Sequence, residues 1–320
     1  MKSWAKWLLT ASTAALMAAC GGSDDDPGTL AQEASDRGFT ALVAAATKAG
    51  LADDLGAAGA NLTVFAPTNA AFNSLATTLG FADATAMVNA LDASTLEKIL
   101  AYHVLPARKT AADLTAGGAT QDTIYLFEGA ATKLAVDTTS GVKLTDAVLT
   151  QGNVTTANVG ASNGIIHAID KVLVPPGVLN VVQMAQLNPT FSVLVEAVVA
   201  ANLASTLSGA GPFTVFAPTD DAFTAALTEL SLTKAALLAS PDLAPILTYH
   251  VVADDVRAAE VVALQPKPAA VTTVQGETFS VGADLGITDQ RNRKANLVAT
   301  DVVGSNGVIH VIDKVILPAP

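Results

Sequence analysis

Thr63-Val64-Phe65-Ala66-Pro67-Thr68-Asn69-Ala70-Ala71-Phe72 returns 151 residues later as Thr214-Val215-Phe216-Ala217-Pro218-Thr219-Asp220-Asp221-Ala222-Phe223. A ten-residue string doubled at that distance marks two copies of a whole domain, because solenoid units recur every ~20–50 residues. Thr63 to Ala66 reads as a short apolar strand that Pro67 stops. Thr68 or Asn69, and Thr219 or Asp220 in the second copy, then caps a helix, since a short side-chain oxygen accepts a hydrogen bond from an unpaired first-turn amide.

Working outward, Tyr102-His103-Val104 returns as Tyr249-His250-Val251 at an offset of 147, and the string Ser162 to Pro175 returns as Ser305 to Pro318 at 143. The second copy therefore shortens its connections and keeps its motifs. Upstream, Phe39, Leu42, Val43 and Ala46 match Phe191, Leu194, Val195 and Val198, each set forming one apolar helical stripe. Ser94 with Glu97 reads as a capping box. In the helix it opens, Leu96, Ile99, Leu100 and His103 share a face, as do Leu243, Ile246, Leu247 and His250, so both histidines lie on the apolar side.

From about Lys109 and Arg257 onward Thr, Val and Gly dominate, and alternating runs such as Lys133 to Asp137 and Thr278 to Val281 predict strands. Ile165 to Val174 and Val308 to Leu317 are apolar on both faces apart from His, Asp and Lys, which predicts a central buried strand. Asn163-Gly164 and Asn306-Gly307 read as tight-turn residues taking positive φ before it. Helices early and strands late give an α+β domain. The boundaries fall at residues 29–175 and 177–320, with Pro175-Pro176-Gly177 as a joint short enough for the domains to touch.

These three ordered motifs, present twice, resemble the fasciclin-like domain over essentially all of residues 29–320. The resemblance implies two tandem β-sandwiches or wedges with helices packed at one side, in secreted, anchored and matrix proteins that mediate adhesion without turnover of substrate. It also places Tyr102, His103, Tyr249 and His250 among candidate binding residues, together with Asp170 and Asp313. Each has a structural reading beside it: the Tyr-His pairs lie on an apolar helical face, and the aspartates fall inside the predicted last strand.

The 17 basic and 29 acidic residues give a net charge of -12, the wrong sign for attraction to nucleic-acid phosphates, so no nucleic-acid partner is expected. Mean hydropathy is +0.44, yet beyond the first twenty residues no apolar run approaches the ~20 needed to span a bilayer. A single cysteine excludes an intrachain disulfide framework and a zinc site built from several thiolates.

That cysteine has a place of its own. Lys2 and Lys6 precede an apolar stretch from Trp7 to Ala19, the layout of a signal peptide over residues 1–19. Leu16-Met17-Ala18-Ala19-Cys20 resembles the bacterial lipobox, which makes Cys20 the expected lipidation site; the other reading is an ordinary cleaved signal with an incidental cysteine. Residues 20–28 are polar, acidic and glycine-containing, a flexible tether. Cleavage before Cys20 removes Lys2 and Lys6 and takes the charge to -14. By resemblance to bacterial lipoproteins, Gly21 after the cysteine suggests outer-membrane sorting in a Gram-negative host.

All four histidines occupy repeated positions, His103 with His250 and His167 with His310. Imidazole can ligate metal or move protons, but no carboxylate cluster at ligand spacing accompanies these, so no metal and no cofactor is expected. Gly160-Ala161-Ser162-Asn163-Gly164 matches the G-x-S-x-G nucleophile elbow, with His167 and Asp170 following. An elbow must lead from strand into helix, whereas Ile165 onward is β-like, and the second copy has Val303 at the first glycine. Arg291, Arg293 and Lys294 form a tight basic cluster that reads as a solvated hairpin turn rather than a contact for an anionic polymer.

The expectation is a non-enzymatic, exported, lipid-anchored cell-envelope protein whose two domains bind extracellular protein or polysaccharide. The alternative is a periplasmic binding protein that holds a small apolar ligand between sheet and helices.

Overall fold

The computed structural model describes residues 27–263 and 268–320; the signal stretch, Cys20 and most of the tether lie outside the described residues. The first unit runs α1 (Leu30–Asp36), α2 (Thr40–Ala49), α3 (Ala52–Gly56), β1 (Leu62–Pro67), α4 (Asn69–Thr78), α5 (Ala84–Ala90), α6 (Ala93–Tyr102) and β2 (Val104–Leu105). It closes with α7 (Ala111–Ala116), β3 (Thr120–Phe127), β4 (Ala130–Asp137), β5 (Lys143–Thr145), β6 (Gln151–Ala161) and β7 (Gly164–Ile169). The second unit repeats the order: α8 (Val181–Leu187), α9 (Ser192–Ala200), α10 (Ala204–Leu207), β8 (Phe213–Pro218), α11 (Asp220–Glu229), α12 (Lys234–Leu238), α13 (Leu243–Tyr249) and β9 (Val251–Val252). There follow α14 (Ala258–Ala263), β10 (Ala269–Thr272), β11 (Thr278–Val281), β12 (Ile287–Thr288), β13 (Lys294–Ala295), β14 (Leu297–Gly304) and β15 (Gly307–Ile312).

Both halves of the repeated opening motif act as caps. The Thr68 and Thr219 hydroxyls accept from the Ala71 and Ala222 amides and start α4 and α11. The next residue reaches elsewhere: Asn69 Oδ1 accepts from the Ala41 amide, and Asp220 Oδ1 from the Val193 amide, covering the open ends of α2 and α9. Neither Phe39 nor Phe191, the residues at those helix starts, has a side chain that can do so. The capping box expected at Ser94 is corrected by two residues: α6 is capped by Asp92, whose carboxylate accepts from the Thr95 amide at 2.8 Å.

In the first unit seven strands form one sheet in the order β2-β1-β7-β6-β5-β4-β3, with β1 and β7 parallel and every other neighbour antiparallel. The register of β6 on β7 slips twice, between Val154 and Thr156 and between Thr156 and Val159, and such bulges bend a strand. In the second unit the same long strand breaks at Asn296 into β13 and β14, leaving two four-stranded sheets, β10-β11-β12-β13 and β14-β15-β8-β9. The bend puts β1 and β7 between two layers. Val64, Ala66 and Ile166 join the core under the helices, whereas Phe65 and Ile169 join a second core with Tyr125, Leu134 and Leu144 from the other end of the sheet. That is why the last strand is apolar on both faces.

The last strand is shorter than the sequence suggests. β7 ends at Ile169 and β15 at Ile312, so Lys171 to Val174 and Lys314 to Leu317 are irregular segments. The glycine that opens each strand also has a second reason. Of the four expected turn residues only Gly307 takes positive φ, at 155°. A Cβ on Gly164 would lie 2.4 Å from the Leu62 carbonyl oxygen, and one on Gly307 1.9 Å from that of Phe213, so the parallel neighbour excludes any side chain.

The two units are welded at Pro175-Pro176-Gly177. Tyr125 Oη donates to the Pro176 carbonyl at 3.0 Å, and the Gly177 amide donates to the Val303 carbonyl at 2.8 Å. Val148 and Val174 of the first unit are buried in the core of the second beside Leu179 and Met184, and Asn188 Nδ2 donates to the Val148 carbonyl. Gly177 has φ 72°, and a Cβ there would meet the Phe127 ring at 2.2 Å. Gly177→Ala is therefore expected to destabilise the chain by about 1–3 kcal/mol through strain and overpacking. Urea unfolding is the check, and an unchanged midpoint would mean that the joint yields without cost.

Candidate functional site

Tyr102 and His103 close α6, and Tyr249 and His250 close α13. All four are buried, with Tyr249 fully inaccessible. The Tyr102 and Tyr249 hydroxyls donate to the Lys133 and Thr278 carbonyls across the inner core. Burial raises both phenols, that of Tyr249 to about 12, so both stay neutral. His103 Nδ1 donates to the Ile99 carbonyl at 2.7 Å and Nε2 accepts from the Leu173 amide at 2.8 Å. His250 repeats this with the Ile246 carbonyl and the Ile316 amide. An amide can only donate, so each imidazole must be the neutral Nδ1-H tautomer.

The other histidines are equally engaged, in the opposite tautomer. His167 Nε2 donates to the Lys109 carbonyl at 2.9 Å while Nδ1 accepts from the Asn158 amide, and His310 does the same between Val256 and Asp301. Their rings stack tilted on Phe65 and Phe216. His167 and His310 thus each fasten three chain segments, and His103 and His250, which bond a carbonyl of their own helix, each fasten two.

Asp170 and Asp313 lie one residue beyond the last strand, not inside it. The Asp170 carboxylate accepts from the backbone and side-chain amides of Asn153 at 2.7 and 2.8 Å, and Asp313 holds Asn296 in the same two-point grip. Asn153 and Asn296 stand where the long strand bends, so the aspartates set that corner. Asp170 is exposed and Asp313 half-buried, in contrast to the Tyr-His pairs. The structure does not bring the aspartates and the Tyr-His pairs into one site.

Two buried carboxylates were missed. Asp146 accepts from the Thr150 and Val174 amides and pairs with Lys171; Asp289 accepts from the Arg291, Arg293 and Leu317 amides. Their signal was the Leu144-Thr145-Asp146 and Ile287-Thr288-Asp289 pair, set at the same offset as the last motif. The basic cluster does sit in a hairpin turn, between β12 and β13. Arg291 and Arg293 are more than solvated there, because they donate to the Pro318 and Val315 carbonyls and hold the final segment down. The G-x-S-x-G string is a hairpin, with β6 pairing Ala161 to Gly164 of β7 around Ser162. Asn163 anchors it, accepting from the Leu30 amide and donating to the Leu55 and Ala57 carbonyls.

Among the described residues no buried side-chain nitrogen or oxygen lacks a hydrogen-bond partner, and no group of three or more His, Cys, Asp or Glu is arranged to hold a metal ion. No described helix is long and apolar enough to cross a membrane.

The Fasciclin domain family model matches residues 37–175 and again 189–318. The chain belongs to the fasciclin domain family. Protein sll1483 of Synechocystis sp. is 45% identical over 141 residues, covering 44% of this chain and 74% of that protein. Fasciclin-like arabinogalactan protein elcF of Phaeosphaeria nodorum is 30% identical over 266 residues, covering 81% of this chain and 78% of its own. A solved FAS1 domain pair from the insect cell adhesion molecule Fasciclin I is 20% identical, with a TM-score of 0.44 over 89% of this chain and 95% of that one. The two matched stretches mean that this chain carries two fasciclin domains.

In each fasciclin domain the Tyr-His histidine imposes a pH limit. Burial lowers His103 and His250 to about 4, against 6.5 for a free imidazole. Their stabilisation is complete above pH 6.5 and is lost as pH falls towards 4, because only the unfolded chain takes up protons in that window. Each contributes a slope approaching about 1.4 kcal/mol per pH unit. Urea unfolding from pH 7 to 4.5 should show it, and His103→Gln should remove its share of the slope; an unaltered slope would place the proton uptake elsewhere.

Proposed function

We propose that this protein is a lipid-anchored, exported envelope protein whose two fasciclin domains adhere to extracellular protein or polysaccharide without chemical turnover. The observation that carries the reading is the use of all four histidines. Every ring nitrogen is bonded, and all eight bond to backbone groups. Groups spent on holding a fold are not available to move protons. The anchor at Cys20 and the acidic tether would hold the domains off the membrane, on the periplasmic side or at the surface of an outer membrane.

In this reading Tyr102, His103, Tyr249 and His250 serve adhesion by setting the shape of the surface, and Asp170 and Asp313 are the candidates with side chains that a partner can reach. A deletion strain should lose attachment and biofilm mass, and re-expression of the chain should restore them. Asp170→Ala with Asp313→Ala should weaken attachment more than its loss of thermal stability explains. His103→Ala should weaken attachment only in step with unfolding. Unchanged attachment in the deletion strain, with envelope expression confirmed before deletion, would remove the adhesive role.

A further inference from the structure

The two copies part company at α13. Its counterpart α6 starts three aligned positions earlier, at Ala93, but Pro245 has no amide to give and cannot sit deeper than the first turn, so α13 starts at Leu243. Space remains on both sides of the shortened helix. A cavity of about 20 Å³ lies between α11, α12 and α13, and one of about 40 Å³ lies between α8, α9 and α13, with β8 and β15 as its floor. The larger cavity reaches solvent past Val182 and Gln186 on α8 and Val195 and Val199 on α9, where Val199 is 58% exposed.

The lining decides what fits. It is aliphatic throughout apart from Gln186 at the mouth and His250 at the back, and His250 has both nitrogens bonded. No acidic or basic side chain other than that neutral imidazole lines it, so a charged ligand would leave its counterion in water. The mouth is framed by two helices, whose backbone groups bond internally and offer no edge to an extended peptide. Hydrocarbon needs no such edge. A volume of about 40 Å³ has room for roughly three water-sized probes, enough for the tip of a chain and too little for a whole ligand.

We propose that the second fasciclin domain binds the end of an unbranched alkyl chain, tip first between α8 and α9, with a neutral polar head left in water near Gln186. The first domain supplies the control. At the positions of Val182, Gln186, Val198 and Val199 it has Ala31, Ser35, Ala46 and Thr47, a smaller and more polar mouth. The site stands independently of the adhesive reading.

Titration of the intact chain with 1-octanol, followed by methyl NMR, tests it. Saturable shifts are expected at Val182, Val195, Val199 and Leu247, with Val43 and Leu100 of the first domain unmoved. Shortening the alcohol should leave binding unchanged until the chain no longer fills the cavity, after which each methylene removed should weaken it about fourfold, the equivalent of ~0.8 kcal/mol per buried CH₂. Val199→Thr, an exposed change that copies the first domain, should weaken binding several-fold with folding intact, and Ala185→Leu should abolish it by filling the cavity. Absence of saturation, equal shifts in both domains, or octanol binding indifferent to Val199→Thr would overturn the proposal. Displacement of octanol by N-acetyl-leucinamide, at concentrations where shorter alcohols fail, would also overturn it and assign the cavity to a protein side chain.

Discussion

A parallel contact between strands about 100 residues apart carries each domain. Leu62 to Pro67 lie beside Gly164 to Ile169, and Phe213 to Pro218 beside Gly307 to Ile312. Parallel neighbours cannot be joined by a tight turn, so the intervening chain must leave the sheet and return. In this protein that excursion builds the rest: helices cover one face of the pair, and the remaining strands fold over the other. The contact is close enough at its start to exclude even a Cβ, and the asparagine just before it bonds the first helix and the end of the third. Loss of that pairing would remove the partner of both cores at once.

The histidines follow from this construction. Where the chain leaves the last strand, at Lys171 to Val174, its amides have no strand to pair with, and a buried amide without a partner costs as much as a lost hydrogen bond. His103 takes the Leu173 amide and Asp146 the Val174 amide; His250 and Asp289 do the same for Ile316 and Leu317. A neutral imidazole suits the position because it accepts on one side and donates to the helix end on the other. A charged or shorter side chain could not do both in an apolar setting. The same logic separates the two classes of candidate residue: the Tyr-His pairs are inside because they finish the backbone, and Asp170 and Asp313 are outside because they finish a corner.

Most of the architecture could be read from repetition and periodicity. The apolar stripe beginning at Phe39, the threonine caps and the strand at Thr278 to Val281 are local signals, and the structure returns them unchanged. What failed was non-local. Asp92 and Ser94 both offer a capping oxygen, and only the entry of the chain into α6 selects between them. Lys171 to Val174 has the composition of a strand but no neighbour to pair with. Gly164 signals a turn in sequence, whereas the reason for it is the Leu62 carbonyl. Asp146 carries no local signal, because the amides it accepts from lie four and 28 residues away.

Two copies of one domain on a packed joint are not two independent modules. Tyr125, Phe127, Val148 and Val174 fix where the second domain sits, so any face repeated on both is presented at one spacing and one orientation. A repetitive partner that matches the spacing gains the second contact without a further loss of translational freedom, and one that does not match gains nothing from it. A flexible linker would have traded that selectivity for tolerance. Divergence around α13 then adds a difference between copies that the shared framework permits, since the shortened helix keeps the Tyr249-His250 end that the sheet requires and gives up only the start. The framework is held by the residues that repeat, and freedom to acquire a separate site lies where they do not.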